Sequence, residues 1–380
     1  MNLDFAAALA QLNSEAPSGD AAWELANGAR TPDDYLFNTL LPDLNMFGYM
    51  VQQTSMTVRS TMAGLVGMDS PYPPSGVATV SQFLEQVAKI GVHVKLNEQT
   101  LRLLQDIVVR MALNNQPTTN VAAEEALNFL AKIVIQPMLD TAEYMRSEVL
   151  NFGKLDWNYN QLRLFVDYGV PAGNFLPARA GAEGYGGPES KFWEDMYLLQ
   201  RIMKGGVRAF IAHPETIMMA LWNGANGAVQ VGGDGRNTIT LRRWVRNSAG
   251  VTVPGTYSPD SRDTVTFVLY DKEVEIFDLV NPGGTLIMPL QPKGRIMAIG
   301  NTQNTGYVPG QGSQDQNLDP RRLGYTHIAP TVEAGGRIGR WAQLFVPQDA
   351  PWELHGRGAA NLLPVLERPD AVGGASTEMA

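Results

Sequence analysis

The sequence predicts a mixed α+β chain, and three observations predict it. Between Thr119 and Gly153 the residues Leu127, Leu130, Val134, Met138, Met145 and Val149 recur at helical period. A strand-like run from Leu162 to Val166 follows, closed by Asp167-Tyr168-Gly169. From Ala228 to Asn301, short β-rich runs alternate with Gly and Asn turns.

Composition sets the outer bounds. The 380 residues are 44% hydrophobic and 18% charged, a globular balance that allows a sizeable core. The formal charge of -9 opposes an extended nucleic-acid contact and leaves room only for a local basic patch. Cysteine is absent, which removes disulfides, thiolate metal sites and a cysteine nucleophile. No run of apolar residues is long enough to cross a membrane as a helix, and no basic n-region precedes the short apolar run Phe5 to Leu12. No membrane partner is expected.

In chain order, the first 30 residues are small and polar and read as an arm. Thr31-Pro32-Asp33-Asp34 caps a brief helix from Tyr35 to Leu41, which Pro42 closes and which can anchor that arm. Between Met46 and Ala88, alternation at Thr54, Met56, Val58, Ser60 and Met62 precedes Pro71, Pro73 and Pro74. This predicts a long hairpin or extended loop, which cannot bury its own backbone and so suits a neighbour's surface.

Ile90 to Leu96 alternates as a strand, and Asn97 caps a helix from Glu98 to Leu113. The long helix then begins at Thr119 or Asn120; about 30 residues at 1.5 Å rise give roughly 45 Å. Pro137 lies inside it and predicts a kink, because the Ile133 carbonyl loses its usual donor. A short Gly-Lys break separates helix from strand. A Gly-rich stretch opens a second unit: helix Glu189 to Met203, strand Val207 to Ala212, and a helix to Trp222 entered at His213-Pro214-Glu215. Strands follow at 238–245, 251–253, 264–269, 273–276, 285–290 and 296–299, then a polar loop at 302–322. One more strand, Arg340 to Val346, precedes Pro-bounded extended pieces and a tail from Gly373 expected to be unstructured.

Chemistry finds few footholds. No phosphate-cradling Gly-x-x-x-x-Gly-Lys-Ser/Thr occurs; Gly232-Gly233-Asp234-Gly235 reads as a hairpin turn. No Gly-x-Ser-x-Gly elbow occurs either. His93, His213, His327 and His355 lack close metal-site spacing, so structural roles are expected, with His213 at a helix entrance. The pairs Glu124-Glu125, Glu194-Asp195 and Asp33-Asp34 sit near helix starts, where they compensate the dipole. In Arg242-Arg243-Trp244-Val245-Arg246, strand parity puts Arg242, Trp244 and Arg246 on one face, suited to solvent or a subunit contact. Asp167-Tyr168-Gly169 reads as a packing and turning element. No catalytic residue, cofactor or metal is expected.

Several segments, in this order, resemble the major capsid proteins of tailed bacteriophages, in particular the lambda-like E-type family with the Hong Kong 97-type fold. They are Tyr35 to Pro42, Met62 to Gly76 with its Pro-rich end, Asn120 to Gly153, Val166-Asp167-Tyr168-Gly169, Trp193 to Asn223, Arg340 to Pro347, and Leu362-Leu363-Pro364-Val365-Leu366-Glu367-Arg368-Pro369-Asp370. The resemblance implies an N-terminal arm at 1–45, an extended loop at 46–88 and a peripheral domain at 89–170 with a spine helix at about 119–152. It further implies an axial domain at 171–335 and a return to the peripheral domain with a C-terminal tail at 336–380. It implies a non-enzymatic virion subunit, assembled in the host bacterial cytoplasm, whose hexamers and pentamers close into an icosahedral shell around double-stranded DNA without sequence-specific binding. A portal protein, a separate scaffolding protein and a decoration protein are the further partners implied.

Candidate assembly contacts, from position and chemistry, are Tyr49, Arg59 and Tyr72 in the loop, Glu143 and Arg146 on the spine, and Arg242 and Arg246 in the axial part. No Lys lies between Met46 and Ala88, so the Lys-Asn crosslink of some relatives is not expected. Two alternatives stand beside this reading: an encapsulin-like compartment of the same fold, and a β-rich hydrolase or sugar-binding domain.

Overall fold

The structure is a computed structural model. It describes residues 26–27, 34–59, 77–96, 99, 102, 130–159, 162–203, 206–235, 237–246, 252–254, 264–277, 285–300, 323–345 and 354–378. The arm at 1–25, the loop tip with Tyr72, the helix expected at 98–113 apart from residues 99 and 102, the start of the long helix with Glu124-Glu125, and the 302–322 loop lie outside them.

The chain enters through helix α1 (Leu36–Leu40) and strand β1 (Asp43–Asn45). Strands β2 (Met50–Arg59) and β3 (Val77–Gln86) form the hairpin expected from the alternation, in register from Met50 opposite Gln86 to Arg59 opposite Val77. Strand β4 (Ala88–Leu96) follows at once.

The long helix differs from expectation at Pro137. A π-helical segment, Leu130–Ile135, passes into α2 (Gln136–Phe152) with Pro137 in its first turn. The missing proline N–H thus falls where an α-helix has no donor to lose, and the wider π turn accommodates the ring. Gly153 ends α2 in the left-handed region at φ 68°, with its N–H on the Val149 carbonyl at 2.9 Å. What the sequence presents as a Gly-Lys break is in fact strand β5 (Lys154–Tyr159), paired with β6 (Leu162–Asp167).

Next come α3 (Phe192–Ile202), β7 (Val207–Ala212) and α4 (Pro214–Trp222). Strands β8 (Ala228–Gly232) and β9 (Thr238–Arg246) flank the predicted glycine turn. There Asp234 Oδ1 accepts the N–H groups of Asn237 and Thr238 at 2.8 and 2.7 Å. Strands β10 (Thr252–Pro254), β11 (Thr264–Leu269), β12 (Glu273–Phe277), β13 (Thr285–Pro289) and β14 (Arg295–Gly300) match the remaining predicted runs closely. The chain closes with β15 (Gly324–Ala329), β16 (Trp341–Phe345), β17 (Leu354–Leu366) and β18 (Val372–Ser376).

Two sheets carry the fold. A five-stranded sheet joins β1, β15, β17 and β16 with β4, and a seven-stranded sheet runs β10-β9-β11-β7-β14-β18 with β8 on β9. Helix α2 and the π-helical segment before it lie along β17, placing Val134, Met138, Ala142 and Met145 in one core with Ala360, Leu362 and Val365. Helices α3 and α4 cover the seven-stranded sheet, where Phe192, Met196, Leu199 and Ile217 meet Ile239, Leu241 and Phe267. Strand β14 is buried on both faces: Ile296 and Ala298 join the second core, Met297 and Ile299 the first. The two cores therefore stand back to back across β14.

Two expectations for the C-terminal part change. Strand β15 belongs with β17 in the five-stranded sheet, not in the unit expected to run to 335. The tail from Gly373 is ordered: β18 pairs with β14 from Arg295 opposite Ser376 to Ile299 opposite Val372. Its glycines serve close approach, since a Cβ at Gly373 would stand 2.6 Å from the Asn174 carbonyl oxygen and one at Gly374 2.9 Å from that of Ile296.

Candidate assembly surface

The hairpin β2–β3 stands apart from both large sheets. Each strand has ten residues, about 34 Å of extended backbone, and within the described residues they pair only with each other. A lone two-stranded ribbon is marginally stable in water. At its base the chain exposes Met46, Phe47, Tyr49 and Met50, with Phe47 at 85%. Such a cluster has the character of a contact surface. Its inner end is fixed: the Val87 N–H donates to the Tyr49 carbonyl at 3.1 Å, and His327 Nε2 meets the Gly48 carbonyl at 2.7 Å.

Segment 35–43 is held to α2 by residues three apart on one helix face. Tyr35 donates its hydroxyl to Asp140, and Gln136 Nε2 donates to Tyr35 at 2.7 Å. The Phe37 N–H donates to Glu143 Oε1 at 2.7 Å. Arg146 donates from Nη2 to Asp43, from Nη1 to Glu143 at 3.0 Å, and from Nε to Thr326 Oγ1 at 2.8 Å. Arg340 donates to the other oxygen of Asp43. Burial pushes the Glu143 carboxyl above its usual range, although Arg146, the Phe37 N–H and the Tyr270 hydroxyl oppose the shift. The same spacing, one helical turn per partner, fastens the entering chain to the helix.

The predicted contacts divide accordingly. Glu143 and Arg146 are wholly buried and bind within the chain, so they are corrected from assembly contacts to anchors of the arm's root. They have no surface to offer a neighbour. Tyr49 lies in the exposed cluster. Arg59 lies at the last position of β2 and Arg246 at the end of β9; their side chains and the whole of Tyr72 are outside the described residues. Arg242 is half-buried on β9, on the opposite face from buried Leu241, as parity predicts, and Trp244 beside it is 36% exposed. Exposed Val229 and Val231 on β8 and Trp222 at the end of α4 add apolar surface that the sequence alone did not single out.

The remaining candidates take structural places. His213 caps α4, its Nδ1 accepting the Glu215 N–H at 3.2 Å. Tyr168 is buried with its hydroxyl on the Pro364 carbonyl, and Asp167 Oδ1 accepts the Gly169 N–H at 2.8 Å. Dipole compensation does not describe Asp195, which is buried and receives Arg179 Nη2 at 2.7 Å. Among the described residues no group of three or more His, Cys, Asp or Glu could hold a metal ion. No described helix is long and apolar enough to cross a membrane.

A long helix over a β-sheet, a two-stranded hairpin and a second sheet with its own helices make up the fold. Among solved structures, the chain is similar to a chain described as the capsid protein of a prophage of E. coli CFT073, at TM-score 0.53 and 10% identity, covering 94% of this chain and 98% of that one. It is also similar to a phage-related protein from Bordetella bronchiseptica, at TM-score 0.45, 9% identity, and 94% and 96% coverage. A chain from Gordonia phage Cozz matches at TM-score 0.41, 12% identity, and 91% and 87% coverage. The fold assignment rests on the first: this chain has the phage capsid fold, as the sequence predicted. No protein-family model and no curated protein matches the sequence.

Proposed function

We propose that this protein is the major capsid protein of a tailed double-stranded DNA phage, a structural subunit of hexamers and pentamers that close into an icosahedral shell. The observation that carries this reading is the hairpin β2–β3. Strands β2 and β3 pair in register over ten positions and, among the described residues, with no other strand; only the root enters a core, through Val51, beside an exposed cluster at Met46 to Met50, and such a ribbon and cluster suit cover by a neighbouring copy. In this reading the five-stranded sheet with α2 forms the peripheral domain and the seven-stranded sheet with α3 and α4 the axial domain. The arm and hairpin reach adjacent subunits, and the virion is the site of action after assembly in the host cytoplasm. A portal, a scaffold and a decoration protein are the partners a closed head of this kind takes.

Sedimentation of the purified protein tests this. The wild type is expected to form capsomer-sized and larger species, and Phe47→Asp to reduce them while the subunit stays folded. A wild type that stays monomeric at all concentrations would refute the reading. Particles containing a cargo enzyme in place of DNA would move the assignment to a compartment shell.

A further inference from the structure

One face of the five-stranded sheet carries a basic group. In the β4–β17 register Arg357 stands opposite His93 and His355 opposite Lys95, so these four side chains share a face. The other face meets α2, since a Cβ at Gly358 would stand 3.0 Å from Met138 Sδ. His93, Lys95 and Arg357 are exposed. His93 Nε2 lies 3.1 Å from His355 Nδ1, and the Arg357 guanidinium lies over the Phe345 ring at 4.5 Å. Among the described residues neither Lys95 nor Arg357 forms an ion pair; the nearby Lys89 is already matched with Glu333. Burial lowers the His93 pKa first, and the charges of Arg357, His355 and Lys95 lower it further. Nitrogens 3.1 Å apart would also suit a chelated metal, but these flanking cations repel one.

In a chain of net charge -9, such a group fits a polyanion. We propose that this sheet face, through Lys95 and Arg357 with His93 and His355 beside them, binds the phosphate backbone of the enclosed double-stranded DNA. The proposal rests on the shell reading above and adds to it which surface looks inward. Lys and Arg offer donors only, and the square contains no carboxylate, which suits an unbroken row of phosphates better than a mixed protein surface. Two permanent cations give a weak contact, indifferent to sequence and lost in salt. A small patch of this kind is compatible with a container that must release its genome.

The test is binding of a fluorescent duplex DNA to purified wild-type subunits across 20 to 200 mM salt, with Lys95→Glu/Arg357→Glu and the milder Lys95→Gln as variants. For the wild type, log affinity is expected to fall against log salt with a slope of about -2, at roughly -0.9 for each phosphate neutralised. Lys95→Gln lowers the slope to about -1 and the double variant abolishes binding, whatever the duplex sequence. Equal binding by wild type and double variant would overturn the proposal, as would binding of polyglutamate but not of duplex DNA. Shell formation is followed separately by electron microscopy. Variants that still close into shells but bind no DNA support the inward face, and wild-type subunits that bind DNA with slope -2 yet never assemble count against the shell reading alone.

Discussion

The backbone N–H of Phe37 donates to the buried Glu143 carboxylate at 2.7 Å, across 106 residues of sequence. Around it, Tyr35 on Asp140 and Asp43 on Arg146 repeat the same contact one helical turn on either side. Segment 35–43 is thereby fastened along the long helix.

Removing Arg146 leaves the buried Glu143 without its ion-pair partner, while Asp43 keeps Arg340. Arg146→Ala is expected to cost about 3–5 kcal/mol, the range for breaking a buried pair. Urea unfolding checks this, and a loss below about 1 kcal/mol would mean that solvent reaches the site. Because the network is internal, the loss appears in subunit stability before any effect on assembly.

Helix α2 approaches β17 closely at Gly358, where an added Cβ would meet Val134 at 2.7 Å and Met138 Sδ at 3.0 Å. Gly358→Val therefore overpacks the joint and is expected to destabilise by about 1–3 kcal/mol. Thermal unfolding of the variant measures it, and an unchanged midpoint would show that the helix can lift away at no cost.

Glu148 is largely buried beside Tyr144 and Arg295, and burial raises its pKa, while the Tyr144 hydrogen bond and Arg295 pull the other way. Burial and this carboxylate together push Tyr144 up to about 12. For Glu148 the folded pKa lies above the unfolded value, so its stability contribution is fully present below the unfolded pKa of about 4.5 and is lost as pH rises through the folded one. Glu148→Gln should accordingly gain on wild type as pH rises from 4 to 8. Melting curves across that range decide it; a relative loss at pH 8 would show that Arg295 outweighs burial.

Phe47 is exposed at the root of the hairpin. Phe47→Asp should leave the subunit's melting temperature within about 2 °C, as an exposed site allows, while weakening self-association. A variant that assembles like wild type would place the contact elsewhere, with Trp222, 80% exposed, as the next residue to change.

Most of this architecture was legible because periodicity was strong. The hairpin from Met50 to Gln86, the helix to Phe152, and strands β7 and β9 to β14 follow their sequence patterns within a few residues. One expectation is sharpened and two fail, each for a physical cause. Leu354–Leu366 mixes Gly, Ala and Pro and reads as Pro-bounded extended pieces; it is one long central strand, in which Gly358 gives room to Val134 and Met138. Gly373 and Gly374 look like a disordered tail but serve close packing against Asn174 and Ile296. Lys154–Tyr159 is a short strand that its partner, not its own pattern, defines. At the candidate surface, the sequence put Glu143 and Arg146 outside because charged helix residues are usually exposed. Only the fold reveals Asp43, Thr326 and Arg340 converging on them from distant parts of the chain.

Electron microscopy of the purified full-length protein tests the central claim most directly. Closed shells or hexameric and pentameric rings are the predicted result, with the β2–β3 hairpin lying across an adjacent subunit. A monomer that persists at high concentration, with that hairpin covered by nothing, would contradict it.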